Sequence, residues 1–314
     1  VPSHTKTKPL PPETAPTLLH ISTNRGLNVS KPLAPGLYLI ATPIGNLGDI
    51  SQRALQTLAA CDVIACEDSR ATARLLQHYG VHVPRIAYHE HSSPTVREAI
   101  LQRLAEGQRV GLVSDAGTPL ISDPGFKLVR DAIARGVYVS ALPGPAAPLM
   151  ALILSGLPCD RFFFQGFLPP KGAARRSLLA SLAGIEATLI FFESARRLPK
   201  CLEDMAQMLG ERPAAVAREL TKMFEEVRRG PLSTLRDYYL AEGPPKGEVV
   251  IVVGPKAQDN SGAINHEKEL DDRLRDALVS LRLKEAVAQV AAITGLPRKQ
   301  VYARALSLTG KTRA

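Results

Sequence analysis

The segment Ser114-Asp115-Ala116-Gly117-Thr118-Pro119-Leu120-Ile121-Ser122-Asp123-Pro124-Gly125 joins a strand-like run, residues 109–113, to a run with helical periodicity. Glycine admits close approach of backbone to a ligand, proline fixes a turn, and a carboxylate at a strand end accepts hydrogen bonds from hydroxyls or an ammonium. Two of each meet here, so the segment reads as a ligand loop. Its other reading is a long connection in which Asp123 caps the following helix.

Outward from this loop, strand and helix patterns alternate. Strand-like runs cover residues 37–42, 62–66, 85–88, 109–113 and 137–141, with helical runs at 51–60, up to 79, at 94–105 and at 124–135. Such alternation predicts a mostly parallel sheet covered by helices. Pro143-Gly144-Pro145 breaks the series. A helix reaching about residue 155 follows, then a second α/β set with strands near 162–167, 187–193, 214–218 and 248–253. The expected architecture is thus two consecutive α/β domains, residues 36–143 and 144–255, with a cleft between them. A polar linker is expected over 256–266 and a small helical module over 267–314. Within that module, Thr294-Gly295-Leu296-Pro297 separates two helical runs, and Arg298, Lys299 and Arg304 fall on the second. The pattern suits either a helix-turn-helix that docks on nucleic acid or a plain helical hairpin packed on the body.

Charge follows the same division. The net charge of the 314 residues is +9, yet residues 36–281 hold 28 basic and 28 acidic side chains. Residues 1–35 carry four Lys/Arg against one Glu, and 282–314 carry seven against one. A neutral body with basic ends fits a catalytic core bearing polyanion-binding segments. Residues 1–35, rich in Pro, Thr, Ser and Lys, lack periodicity and the apolar stretch of a secretory signal, so a disordered extension and a cytoplasmic protein are expected. The largely apolar run at 146–154 is too short to span a bilayer. Cys61, Cys66, Cys159 and Cys201 form no C-x-x-C pair, which argues against a metal site and for reduced thiols.

Residues 41–50, Ala-Thr-Pro-Ile-Gly-Asn-Leu-Gly-Asp-Ile, form a Gly-containing turn before a helix, but neither G-x-G-x-x-G nor the P-loop spacing is present. Together with Glu67-Asp68-Ser69-Arg70, the 114–125 loop, Pro143-Gly144-Pro145-Ala146-Ala147, Phe191-Phe192-Glu193-Ser194, Arg218-Glu219-Leu220-Thr221-Lys222 and Lys246-Gly247-Glu248, this turn resembles the tetrapyrrole methylase superfamily. The ordered set is most similar to its branch acting on small-subunit ribosomal RNA, over residues 36–255 and the C-terminal helices. The resemblance implies S-adenosylmethionine (SAM) in the interdomain cleft, 2'-O-methylation of a cytidine in the decoding region of 16S rRNA, and a homodimer. It further implies that Pro43 and Gly45 border the site, that Asp115, Gly117, Thr118 and Ile121 hold the methionine and ribose portions, and that Ala146 and Ala147 lie beside the cofactor. Phe191, Leu220, Gly247 and Glu248 would frame the adenine.

This chain departs from the pattern at Gly117-Thr118-Pro119, where tetrapyrrole-methylating relatives carry Gly-Asp-Pro. It departs again at Ala146, where Ser is usual, and at His89-Glu90-His91-Ser92-Ser93. Asp68 is the expected base for the ribose hydroxyl, with Arg70 orienting a phosphate or the carboxylate; helix capping is the alternative role for Asp68. Lys171, Arg175 and Arg176, at a turn before a helix, would position RNA phosphates, as would Arg298, Lys299 and Arg304. Rival readings are a tetrapyrrole or diphthamide-pathway SAM methyltransferase, and a non-catalytic RNA-binding assembly factor.

Overall fold

The computed structural model describes residues 33–256 and 260–308, and of 260–269 the backbone alone. The expected extension, up to residue 32, and residues 257–259 of the expected linker lie outside the described residues.

The first sheet contains β1 (Gly36–Ile40), β2 (Val63–Cys66), β3 (Arg85–Ala87), β4 (Arg109–Val113) and β5 (Val139–Leu142), ordered β3-β2-β4-β1-β5 with every pair parallel. Parallel neighbours need crossovers, which α1 (Gln52–Ala60), α2 (Ser69–His78), α3 (Pro94–Ala105) and α4 (Phe126–Ala134) supply. Local chemistry sets the starts. Ser51 Oγ accepts from the Ala54 amide, and Ser93 caps α3 with Pro94 in its first turn. Leu37, Val63, Ala65 and Leu112 pack against Ile100, Leu101 and Leu128 in one core. A crevice in such a sheet opens at the carboxyl ends of the strands, the ends from which residues 42–50, Glu67, the 114–125 loop and residues 143–146 emerge.

The second sheet holds β6 (Phe162–Phe167), β7 (Thr188–Ser194), β8 (Pro213–Arg218), β9 (Glu226–Pro231) and β10 (Glu248–Val253), ordered β6-β7-β10-β8-β9. Only β6 and β7 run parallel; the other pairs are antiparallel. The three central strands, β7, β10 and β8, bury two faces. Phe191, Leu189, Val216 and Ile251 pack beneath α6 (Gly172–Leu182), α7 (Leu198–Leu209) and α8 (Leu232–Glu242). On the opposite face Ile190, Ala217, Val250 and Val252 meet Ala151 and Leu152 of α5 (Ala147–Ser155). The helix after the Pro-Gly-Pro break therefore belongs to the second sheet.

The C-terminal module is three helices, α9 (Asn260–Ser280), α10 (Leu283–Thr294) and α11 (Arg298–Leu308), around Leu270, Leu274, Val287, Val290, Val301 and Ala305. The helix begins inside the stretch expected to be linker: residues 260–266, polar in sequence, form its first turns. Gly295, at φ 70°, ends α10 in the left-handed region and permits the tight turn into α11.

Candidate active site

Three segments converge at the carboxyl end of the first sheet. Thr42 and Gly117 exchange both backbone hydrogen bonds, at 2.9 and 3.0 Å, which fastens the turn after β1 to the loop after β4. Thr118 Oγ1 donates to the Pro145 carbonyl at 3.0 Å, tying that loop to the break before α5. Gly117 sits at φ 83°, and Leu120 and Ser122, neither of them glycine, at 73° and 65°. At Leu120 and Ser122 such conformations cost about 1–3 kcal/mol each, and they cluster at functional sites.

The loop forms one wall of a cleft of about 500 Å³. Glu67, Asp115, Gly117, Thr118, Ile121 and Asp123 line it from the first domain, and Ala146, Ala147, Phe192, Leu220, Gly247 and Glu248 from the second. One part is acidic. Burial, with the nearby Asp115, raises the Glu67 carboxyl above its ordinary value. Burial likewise pushes Asp123 up to about 6, with Glu67 and Asp115 adding to the effect and a hydrogen bond from Ser114 opposing it. The other part is apolar, formed by Phe192, Ala217, Leu220 and Val250. At its lip Lys222 Nζ bridges Glu219 and Glu248, at 2.9 Å to each. A side chain at Gly247, φ 95°, would collide with Glu219.

Most of the expected cofactor residues meet in this cleft, and several expected roles are corrected. Pro43 and Gly45 flank it while the side chain between them, Ile44, lines it. Gly45 instead presses on the 220–222 loop, since a Cβ there would fall 2.9 Å from Thr221 Oγ1. Phe191 is fully buried on the helix-covered face of its sheet, so Phe192 supplies the aromatic surface, as strand alternation requires. Asp68 caps α2: its carboxylate accepts from the Arg70 amide at 2.7 Å, which holds the carboxyl below its ordinary value, and Glu67 is the member of that quartet that lines the cleft. Arg70 projects its side chain into solvent, 3.6 Å from Asp68.

Arg175 is not a phosphate ligand. It is buried, and its guanidinium pairs with Asp204 at 2.6 Å, while Arg176, partly exposed, reaches the same carboxylate at 3.3 Å. Lys171 remains exposed at the start of α6. In the C-terminal module Arg298 and Lys299 are exposed, but Arg304 clamps Asp271 on α9 through two hydrogen bonds of 2.7 and 2.9 Å and so holds the helices together. Sequence alone does not show these two pairings because each partner lies about 30 residues away, beyond any local pattern. Glu67, Asp123 and Phe192 lie inside motifs that the sequence singles out, yet none is among its expected cofactor residues; strand alternation signals Phe192.

Residues 36–236 match the model of the Tetrapyrrole (Corrin/Porphyrin) Methylases, and residues 265–309 match that of the RsmI C-terminal HTH domain. The chain belongs to the ribosomal RNA small subunit methyltransferase I family. It is 50% identical to the ribosomal RNA small subunit methyltransferase I of Erythrobacter litoralis over 89% of this chain and 97% of that one. The proteins of the same name from Mesorhizobium japonicum and Escherichia coli O157:H7 are 48% and 45% identical, covering 89% and 87% of this chain and 94% and 96% of theirs. Among solved structures, a diphthine synthase aligns with TM-score 0.54 at 17% identity, over 69% of this chain and 89% of its own. The uroporphyrin-III-C-methyltransferase from Thermus thermophilus aligns with TM-score 0.50 at 19% identity, over 70% and 94%. At those identities the likeness is one of fold.

Members of the family are SAM-dependent methyltransferases. The residues present fit SAM: the apolar slot suits a purine, Asp115 on the acidic wall suits an ammonium or a sulfonium, and Gly117 and Gly247 bring bare backbone to the cleft. Among the described residues no group of three or more His, Cys, Asp or Glu is placed to hold a metal ion, and no helix is long and apolar enough to cross a membrane.

Proposed function

We propose that this chain methylates the ribose 2'-hydroxyl of a cytidine in the decoding region of 16S rRNA, acting on that RNA or on the small ribosomal subunit. The observation that carries the reading is the pairing of an acid-lined, SAM-sized cleft with a three-helix module bearing exposed Arg298 and Lys299. A small macrocyclic or protein substrate gives no reason for such an appendage. When bound, SAM supplies a methyl group on a positively charged sulfur. Asp115, Thr118 and Ile121 hold its amino-acid and ribose portions, Ala146 and Ala147 lie beside it, and Phe192, Leu220, Gly247 and Glu248 frame its base. Lys171, Arg176, Arg298 and Lys299 attract phosphates without reading sequence, and the target nucleotide leaves its stack to reach the cleft. Positioning the hydroxyl against the methyl carbon supplies much of the acceleration.

The protein acts as a homodimer; Leu149 and Ile153, exposed on α5, and Met223 and Phe224, exposed on the β8–β9 connection, provide apolar surface for a second copy. Light scattering at micromolar concentration gives twice the chain mass if so. The function itself is tested by mapping 2'-O-methyl groups in 16S rRNA from cells lacking the protein. Loss of one cytidine mark, restored by the gene, is expected, and an unchanged map overturns the reading.

A further inference from the structure

A ribose hydroxyl that attacks a methyl group must lose its proton, and Asp68 is committed to capping α2. Asp123 is placed differently. It lines the cleft on a loop that runs through the left-handed conformations of Leu120, Ser122 and Gly125. A Cβ at Gly125 would fall 2.8 Å from Leu112 Cδ2 and 2.7 Å from Leu120 Cδ1, so the backbone beside Asp123 lies directly on the sheet and on its own loop. The backbone that carries the carboxyl is thereby held in place and the Ser114 hydroxyl hydrogen-bonds to the carboxyl itself, the kind of support a proton-transfer group needs. Facing it are the Ser114 hydroxyl from the end of β4, Asp115 from the same loop and Glu67 from the end of β2.

Resting on the function proposed above, we propose that Asp123 accepts the proton of the attacking ribose hydroxyl. The 2'-oxygen forms its bond to the methyl carbon as the carbon–sulfur bond breaks, the electron pair of that bond passing to sulfur. The hydroxyl proton goes to the Asp123 carboxylate and from there to water. The products are the methyl ether and S-adenosylhomocysteine. Desolvation raises the affinity of this carboxylate for a proton, and a base with a value near 6 is both ionised and effective close to neutrality.

The test is single-turnover methylation of small subunits lacking the mark, from about pH 5 to about pH 8, alongside calorimetric SAM binding. With wild-type protein the rate rises with pH, half-maximal near 6, and then levels. Asp123→Asn lowers the plateau by roughly a hundredfold or more and removes the rise, while its SAM dissociation constant stays within about threefold of wild type. The neutral amide also removes the cost of ionising a desolvated carboxyl, so the variant is at least as stable as wild type at pH 8. Asp68→Asn, which keeps a good cap, retains the rise.

A full rate in Asp123→Asn overturns the assignment, as does a deficit that saturating SAM abolishes, which would make Asp123 a cofactor ligand. A rise that survives in Asp123→Asn and vanishes in Asp68→Asn returns the role to Asp68. Should Asp123→Asn fail to fold, the wild-type profile still decides, because a flat profile across that range overturns the proposal. Wild-type protein that methylates no ribose defeats the function, whereas an active wild type with an unaffected variant defeats the assignment alone.

Discussion

The main-chain amide of Asp68 donates to Oδ1 of Asp115 at 3.0 Å, fastening the carboxyl end of β2 to that of β4. Asp115 thus serves two purposes, since it also lines the cleft. Asp115→Asn keeps an acceptor for the amide and removes the charge; Asp115→Ala removes both. We expect both to weaken SAM binding by tenfold or more, because each loses an ionic partner for the cofactor, while only Asp115→Ala also loses about 1 kcal/mol of stability. Calorimetry and urea unfolding on the two variants separate these contributions.

Arg175 and Asp204 form a buried pair, with Arg176 as a third, more exposed member. Breaking a buried pair by removing one partner leaves an uncompensated charge, so Arg175→Ala is expected to cost about 3–5 kcal/mol. Lys171→Ala, at an exposed position on the same turn, should leave stability unchanged and reduce the slope of log affinity against log salt by roughly 0.7–0.9 on RNA. Equal stability of the two variants by urea unfolding would contradict this division.

Much of this molecule is legible in its sequence, and the failures have a common cause. The alternating patterns locate the first sheet because a parallel strand and its crossover helix are both local signals. The 114–125 loop and the Pro-Gly-Pro break stand out because glycine and proline act on their own backbone. By contrast β9, Glu226–Pro231, escapes notice: its Glu-Val-Arg-Arg-Gly-Pro sequence is that of an edge strand with few apolar residues. Arg175 and Arg304 read as phosphate ligands because a free and a paired guanidinium look alike until a distant carboxylate is folded against one of them. Asp68 beside a helical run has two roles in sequence, and only the 2.7 Å bond to the Arg70 amide selects the cap.

Asp62 accepts from Arg109 through its backbone amide at 2.7 Å and through its guanidinium at 3.0 and 2.6 Å, joining the starts of β2 and β4. The Arg109 side chain above all holds the Asp62 carboxyl down to about 2 from 3.8. A lowered folded-state value means that the stabilisation is present above about pH 4 and is lost as pH falls toward 2. Asp62→Asn should therefore flatten the fall in stability over that interval, measured by urea unfolding at a series of pH values.

Ala146 occupies the N-cap of α5 with no side-chain acceptor for the first-turn amides. Ala146→Ser places a hydroxyl in reach of the Leu149 amide and should raise stability by about 1 kcal/mol. A variant no more stable than wild type in urea would show that the bond the Leu149 amide already makes to the Ala146 carbonyl, at 3.1 Å, leaves the new hydroxyl nothing to add.

Truncation after Lys256 removes the whole three-helix module, which a cut at residue 267 would split through α9. Because α9, α10 and α11 bury a core of their own, the remaining body should keep its SAM affinity. It should lose RNA affinity and salt dependence in proportion to the phosphate contacts removed. Unchanged binding and salt slope in a folded truncation would assign RNA recognition to the body alone. SAM affinity should also be insensitive to chelator in both forms.

The two walls of the cleft are built on different kinds of sheet. On one side β1, β2, β4 and β5 each end at the site, and their parallel ladder is complete before the chain reaches it. On the other, the lining residues of β7, β8 and β10 are themselves rungs of an antiparallel ladder. Insertions and exchanges in the first wall away from the Thr42–Gly117 bridge leave the strand ladders intact, whereas an insertion among the rungs of the second shifts a register and turns side chains to the wrong face. Evolutionary change of substrate in this architecture is therefore cheap in the loops of the first half and constrained in the second, where point substitutions on existing rungs are the available route.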